Sequence, residues 1–234
     1  MNTALLEQIL PLAVDNTEWL VLEKTFGWAV VETLLMTFIS SILTVILGIP
    51  LGLLAVSTSK DGLTPNRFAN QILSAIVNIG RSIPFIILIV AILPFTRFIV
   101  GTTIGWQAAL VPLTISAVPF FARLVETSVR SVDSGKIEAA QMMGATRLGI
   151  MFGVQIREAL PALVQSITVL VISLLGFSAM AGTIGAGGLG QLAINYGYNR
   201  FMPTVMLVSV IGVVIIVQVI QMVGDMISRL VDHR

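Results

Sequence analysis

Ser57-Thr58-Ser59-Lys60 carries the S-x-x-K spacing in which a lysine can activate a serine nucleophile for acyl transfer. The S-D-N and K-T-G partners of that chemistry are missing, and the tetrapeptide falls at the end of a long apolar run. A second candidate is TIGAGGLGQ at 183–191, where Gly185, Gly187, Gly188 and Gly190 could cradle a phosphate. No GK[ST] follows it and no strand precedes it, so the glycines read instead as a tight re-entrant turn with close backbone packing. Cysteine is absent, which removes disulfides, thiolate metal sites and cysteine nucleophiles together. The single histidine, His233, is the penultimate residue, a poor place for a base or a metal ligand. No general acid–base pair, Walker motif or metal cluster emerges, and the chain reads as a non-enzyme.

The elements that would hold these residues are made of oil. The 234 residues are 56% hydrophobic and 11% charged, against about 25% charged in soluble domains. So much apolar side chain cannot be hidden in one water-facing core of this size, and the bilayer is its natural solvent. The net charge of +1 gives no basic field of the kind nucleic-acid binders carry. MNTALLEQILPLAVDN lacks the basic start of a secretory signal, and Leu5, Leu6, Ile9, Leu10 and Ala13 follow helical spacing. Residues 1–27 therefore read as an interfacial N-terminal segment that includes a short surface helix.

Only helices satisfy their own backbone in lipid, and each needs about 20 mostly apolar residues to cross it. Five stretches qualify, at roughly 28–56, 72–95, 104–122, 158–181 and 203–224. The first is interrupted by Glu32 and contains Gly48-Ile49-Pro50-Leu51-Gly52, a GxxxG spacing suited to close helix packing. The second contains Arg81 and Pro84, and the third Pro112 and Pro119. Of the 13 basic residues, Lys60, Arg67, Arg123, Arg130, Lys136, Arg147, Arg157, Arg229 and Arg234 fall on one side. Only Lys24, Arg97 and Arg200 fall on the other, with Arg81 inside a span. The expectation is an all-α, polytopic membrane protein of five transmembrane helices, N-terminus outside and C-terminus cytoplasmic.

That orientation puts the longest connection, 123–157, in the cytoplasm. Its centre, KIEAAQMMGAT (136–146), is a polar, alanine-rich island. Asp133, Ser134 and Gly135 form a helix-start cluster, and Glu138 sits in the first turn, where negative charge suits the helix dipole. Gly144 is a natural left-handed stop and Thr146 a cap for a second short helix. Two short helices joined at a glycine would make a compact knob; an ordinary solvated linker is the plainer alternative. Arg81, about nine residues into its span, either snorkels or points into a polar cavity, since a charge at mid-bilayer costs about 3 kcal/mol or more.

Glu138-Ala139-Ala140-xxx-Gly144 resembles the EAA loop of ABC-importer permeases. The family pattern continues with I-x-L-P, where this chain has Val154-Gln155-Ile156-Arg157, so arginine replaces the proline; Leu160-Pro161 follows four residues later. NIGRSIPFIIL (78–88), PFTRFIVGTTIGWQAALVPLT (94–114) and GFSAMAGTIGAGGLGQLAINYGY (176–198) resemble the methionine-importer permeases. The likeness covers about residues 25–230 in the family's order.

The resemblance implies one permease domain over 1–234 in the bacterial inner membrane, acting as a homodimer. It implies an ATPase dimer docked on the cytoplasmic knob through Glu138, Ala139, Ala140 and Gly144. It also implies an outer substrate-binding protein or lipoprotein, with ATP and Mg held by the ATPase and no cofactor on this chain. Import of methionine by alternating access is the expected activity, with another amino acid, a dipeptide or an opine-like solute as alternatives. A channel-like or scaffolding membrane protein without an ATPase is the different-class alternative. Arg81 reads as a structural or path-lining residue rather than a direct substrate contact, and Ser178 and Met180 in the Phe177-Ser178-Ala179-Met180 stretch of span four as wall of the path, with plain core packing as their alternative.

Overall fold

The computed structural model describes residues 16–232, all ordered elements of which are helical. Of the expected 1–27 interfacial segment, residues 1–15 lie outside the described residues, as does His233, while residues 16–27 form the first turns of the first long helix. Helix α1 (Asn16–Ser57) has 42 residues and so extends about 63 Å at 1.5 Å per residue. That is twice the hydrocarbon thickness of a bilayer, so one end must project from it. Three further helices are long and apolar enough to cross: α5 (Trp106–Arg130), α8 (Ile156–Gly182) and α10 (Pro203–Val231).

The expected second span, 72–95, is not one rod. It is divided into α2 (Arg67–Ser82) and α3 (Phe85–Ala91), which meet at 98°, and α4 (Leu93–Val100) follows. Pro84 is the cause: its ring excludes the residue before it from helical geometry, and its nitrogen has no hydrogen to donate. Ile83 is accordingly extended, at φ −85° and ψ 119°. Among the described residues, four helices are therefore long and apolar enough to cross unbroken, and five if the bent pair is counted as one. Pro112 and Pro119 lie inside α5 without ending it. The helix runs on to Arg130, so the first residues of the expected 123–157 loop still belong to the third span.

The core is built where α1 and α8 pack on α5. Met36, Leu113, Phe121, Val125, Leu170 and Leu174 are fully buried there. Gly48 and Gly52 let α1 come close: a Cβ at Gly52 would stand 2.7 Å from the Ala122 carbonyl and from Val125. The GxxxG spacing thus serves packing, as expected of it. By contrast α10 buries little of itself within the protomer, leaving Leu207, Val210, Val214 and Met222 exposed for lipid or a second subunit.

The glycine run is fastened to α1 by side chains that sequence periodicity does not reveal. Gly185, Gly187 and Gly188 all adopt positive φ, and the chain then enters the short helix α9 (Gly188–Leu192). Glu32 Oε2 accepts from the Gly188 N–H at 2.8 Å, and Thr33 Oγ1 accepts from the Leu189 N–H at 2.9 Å. Trp28 Nε1–H donates to the other oxygen of Glu32 at 2.9 Å. Fourteen residues before Glu32, Glu18 Oε2 accepts from the Thr204 N–H at the start of α10, at 3.0 Å. The Gly105 N–H, at the start of α5, donates to the Gly185 carbonyl at 2.9 Å.

Glu32→Ala leaves the Gly188 N–H without its acceptor, a loss of about 1–3 kcal/mol. At about 2–4 °C per kcal/mol for a chain of this size, Glu32→Ala should lower the melting midpoint in mild detergent clearly. Glu32→Gln, which keeps an acceptor oxygen, should lower it less; equal midpoints for the two variants would contradict the capping role.

Candidate functional site

The polar island folds into a knob. Asp133 Oδ1 accepts from the Gly135 N–H at 2.6 Å and starts α6 (Ser134–Met142). Gly144, at φ +78°, turns the chain out of the helix, while the Met143 and Ala145 N–H groups return to the Ala139 and Ala140 carbonyls, each at 3.1 Å. Thr146 Oγ1 then accepts from the Gly149 N–H at 3.1 Å and starts α7 (Arg147–Ile150). A π-helical turn, Met151–Gln155, carries α7 directly into α8. Arg157, in place of the family's proline, is an exposed residue of the first turn of α8, and Pro161 is accommodated inside that helix.

One face of the knob is fixed and the other is free. Ala140 is buried and Ile137 packs on the core, and Lys136 pairs with Glu158 at the base of α8. Below it, the buried carboxylate of Glu126 pairs with Arg123 at 2.6 Å and Arg130 at 3.0 Å. The Ser128 and Ser166 hydroxyls meet at 2.9 Å and join α5 to α8. Glu138, Ala139 and Gly144 face solvent. So do Met142 at 90% exposure, Met143 at 82%, Leu148 and Phe152. These four apolar side chains were not evident as a surface from sequence, where the methionine pair reads simply as good helix formers. Their presentation depends on the Gly144 reversal, which turns α7 beside the end of α6.

At the bend, α2 exposes a polar stripe that includes Gln71, Asn78, Arg81 and Ser82. Arg81 has no ion-pair partner among the described residues. Phe85, the first residue of α3, stacks on Phe177 with centroids 4.9 Å apart, which sets the bend against the stretch of α8 holding Ser178 and Met180. Those two residues differ. Ser178 is fully buried and donates to the Leu175 carbonyl of its own helix at 2.8 Å, whereas Met180 is 49% exposed.

A family model described as "Binding-protein-dependent transport system inner membrane component" matches residues 48–234, which include the knob, the bend and the glycine turn. The chain belongs to this family. It is a membrane transport subunit and not an enzyme. It is 51% identical over 203 residues to a probable D-methionine transport system permease protein, MetI, of Vibrio cholerae, covering 87% of this chain and 90% of the relative. The methionine import system permease protein MetP of Bacillus subtilis is 50% identical over 177 residues, 76% of this chain and 80% of that one. Among solved structures, an inward-facing MetNI methionine ABC transporter superposes with a TM-score of 0.86 at 48% identity, covering 89% of this chain and 98% of the matched one. An amino acid ABC transporter solved with histidines, at 20% identity and a TM-score of 0.76, shares the fold.

Gly144 has open space around it, so substitution there is governed by its left-handed backbone. Gly144→Asn, a residue that tolerates that region, should leave the knob intact. Gly144→Val should open it without preventing membrane insertion. Limited trypsin digestion at Arg147 checks this: faster cutting is expected for the valine variant only.

Proposed function

We propose that this chain is the permease subunit of an ATP-driven methionine importer, working as a homodimer by alternating access. The observation that carries the reading is the pinned knob with its free apolar face. An exposed cluster of Met142, Met143, Leu148 and Phe152 is costly in water. Each such side chain contributes about 1.5–3 kcal/mol when a partner buries it. The Glu138-Ala139-Ala140-xxx-Gly144 spacing and the likeness to a MetNI transporter support an ATPase as that partner. In this reading the knob end is cytoplasmic, which agrees with the bias of basic residues. ATP and Mg belong to the ATPase dimer, and a substrate-binding protein or lipoprotein delivers the amino acid from outside.

Coupling follows from how the knob is attached. Reversing a two-state equilibrium from 1:99 to 99:1 takes a differential of about 5.5 kcal/mol. Burial of a few apolar side chains matches that scale, so the docked knobs stay seated while the ATPases close on ATP. The Lys136–Glu158 pair and the continuous run from α7 through the π turn into α8 carry that displacement into the membrane. The outward-open dimer is then the state the nucleotide favours.

The path runs between the two subunits, since one protomer of this size frames no channel by itself. A polar helical face cannot rest against hydrocarbon, and α2 exposes one that ends at Arg81. This supports Arg81 as a wall residue. Met180, half exposed beside the bend, fits a similar place, and Ser178 acts by holding the α8 backbone under it.

Met143→Asp should abolish retention of the ATPase on affinity purification in mild detergent and reduce uptake to background, with insertion unchanged. Arg81→Ala should lower uptake while the ATPase stays bound. In whole cells, excess unlabelled methionine should suppress uptake of labelled methionine. Undiminished uptake would remove the substrate assignment; failure of the wild-type chain ever to retain an ATPase would remove the importer reading itself.

A further inference from the structure

The connection between α1 and α2 is short, charged and rigidly wired. The Ser57 and Thr64 hydroxyls meet at 2.6 Å, and the Thr64 N–H donates to the Ser57 carbonyl at 2.9 Å. The Asn66 N–H donates to the Thr58 carbonyl at 3.0 Å. Asn70 Nδ2 donates to the Ala55 carbonyl at 2.8 Å, tying the first turn of α2 to the last turns of α1. The residues that imitate a serine–lysine motif are therefore structural: Ser57 is buried and spent on the loop, and Lys60 is exposed.

The wired loop and the first turns of α2 border an open cavity of about 750 Å³ lined by Thr58, Lys60, Asn66, Arg67, Asn70 and Gln71. Neither Lys60 nor Arg67 has an ion-pair partner among the described residues, although Asp61 is a sequence neighbour. Two cations and several amide and hydroxyl groups converge on one space whose walls are held by backbone hydrogen bonds. Immediately beside it on α2, Phe68 is 74% exposed and Ile72 44%. A cation pair next to exposed apolar side chains matches a molecule with a phosphate at one end and hydrocarbon at the other.

We infer that this cavity holds the phosphate of an anionic phospholipid from the inner leaflet, with Lys60 and Arg67 on the phosphate and the acyl chains along Phe68 and Ile72. The inference rests on the orientation given above, which puts the α1–α2 loop on the cytoplasmic side. An anionic headgroup suits both cations, whereas a zwitterionic headgroup brings its own cation into the same space. The bound lipid would brace α2 just below the stripe that leads to Arg81.

The test places the full-length permease in nanodiscs of phosphatidylcholine with or without phosphatidylglycerol. Thermal midpoint and lipid retained per protomer, the latter by native mass spectrometry, are the readouts. Phosphatidylglycerol should raise the midpoint of the wild type and be retained selectively. The double variant Lys60→Gln/Arg67→Gln should lose this, with affinity down roughly ten- to thirty-fold. Lys60→Arg/Arg67→Lys, which keeps both charges, should retain it. An unchanged preference in the glutamine variant, or none in the wild type, overturns the inference. Full displacement of the lipid by millimolar inorganic phosphate overturns the lipid as the source of the phosphate. Orientation is read separately. Because the chain has no native cysteine, Asp61→Cys should react with an impermeant maleimide in inside-out vesicles only. Labelling from outside would refute the orientation whatever the lipid result.

Discussion

The first N–H groups of a helix have no acceptor within it, and near lipid there is little water to serve them. Much of this fold depends on how α1 meets that constraint for other helices. Glu18 accepts from the start of α10, and Glu32 with Thr33 from the start of α9. A carboxylate at such a place also meets the positive end of the helix dipole. Glu32 lies 25 positions before Ser57, about 38 Å along the helix axis. If one end of α1 sits at a membrane surface, Glu32 is past the hydrocarbon at the other. The acidic residue that interrupts the first span is therefore a clasp at its wet end.

The two ends of the protomer are stabilised differently. At the glycine end, α1, α5 and the 185–189 turn are joined by backbone amides bonded to side chains and to one carbonyl. At the knob end, the Lys136–Glu158 pair and the Ser128–Ser166 hydroxyl contact do the joining, while Glu126 and its two arginines are paired within α5. Between them the α2–α3 bend has an extended Ile83, an Arg81 with no ion-pair partner among the described residues, one aromatic stack on α8, and Phe85 and Ile89 buried in the core.

Much of this could be read from the sequence where one residue type has one dominant reason to be present. Asp133, Gly144 and Thr146 marked the knob because caps and left-handed stops are local chemistry. Gly48 and Gly52 marked a close approach because only small residues permit it. The broken second span was missed because hydropathy sums over a window and takes no account of direction. Pro84 breaks its helix where Pro112, Pro119 and Pro161 are absorbed by theirs, and surrounding contacts decide between those outcomes. The partners of Glu18 and Glu32 stand more than 150 positions away, beyond the reach of any local pattern. The apolar face of the knob escaped notice because exposure is a property of the folded chain.

The bend also bears on how the chain comes to be in the membrane at all. An isolated helix is accepted by lipid in proportion to its apolar content, and an arginine at its centre weighs against insertion by about 2.5–3.5 kcal/mol. Helix α2 carries Arg67, Asn70, Asn78 and Arg81 in 16 residues, and α3 has only seven. Neither is a sound passenger alone. Its neighbours α1 and α5 are, and Gly80 of α2 fits against Pro119 of α5. Biogenesis would then proceed out of sequence order: the strong spans settle first, and the bent pair is drawn in between them as their packing forms.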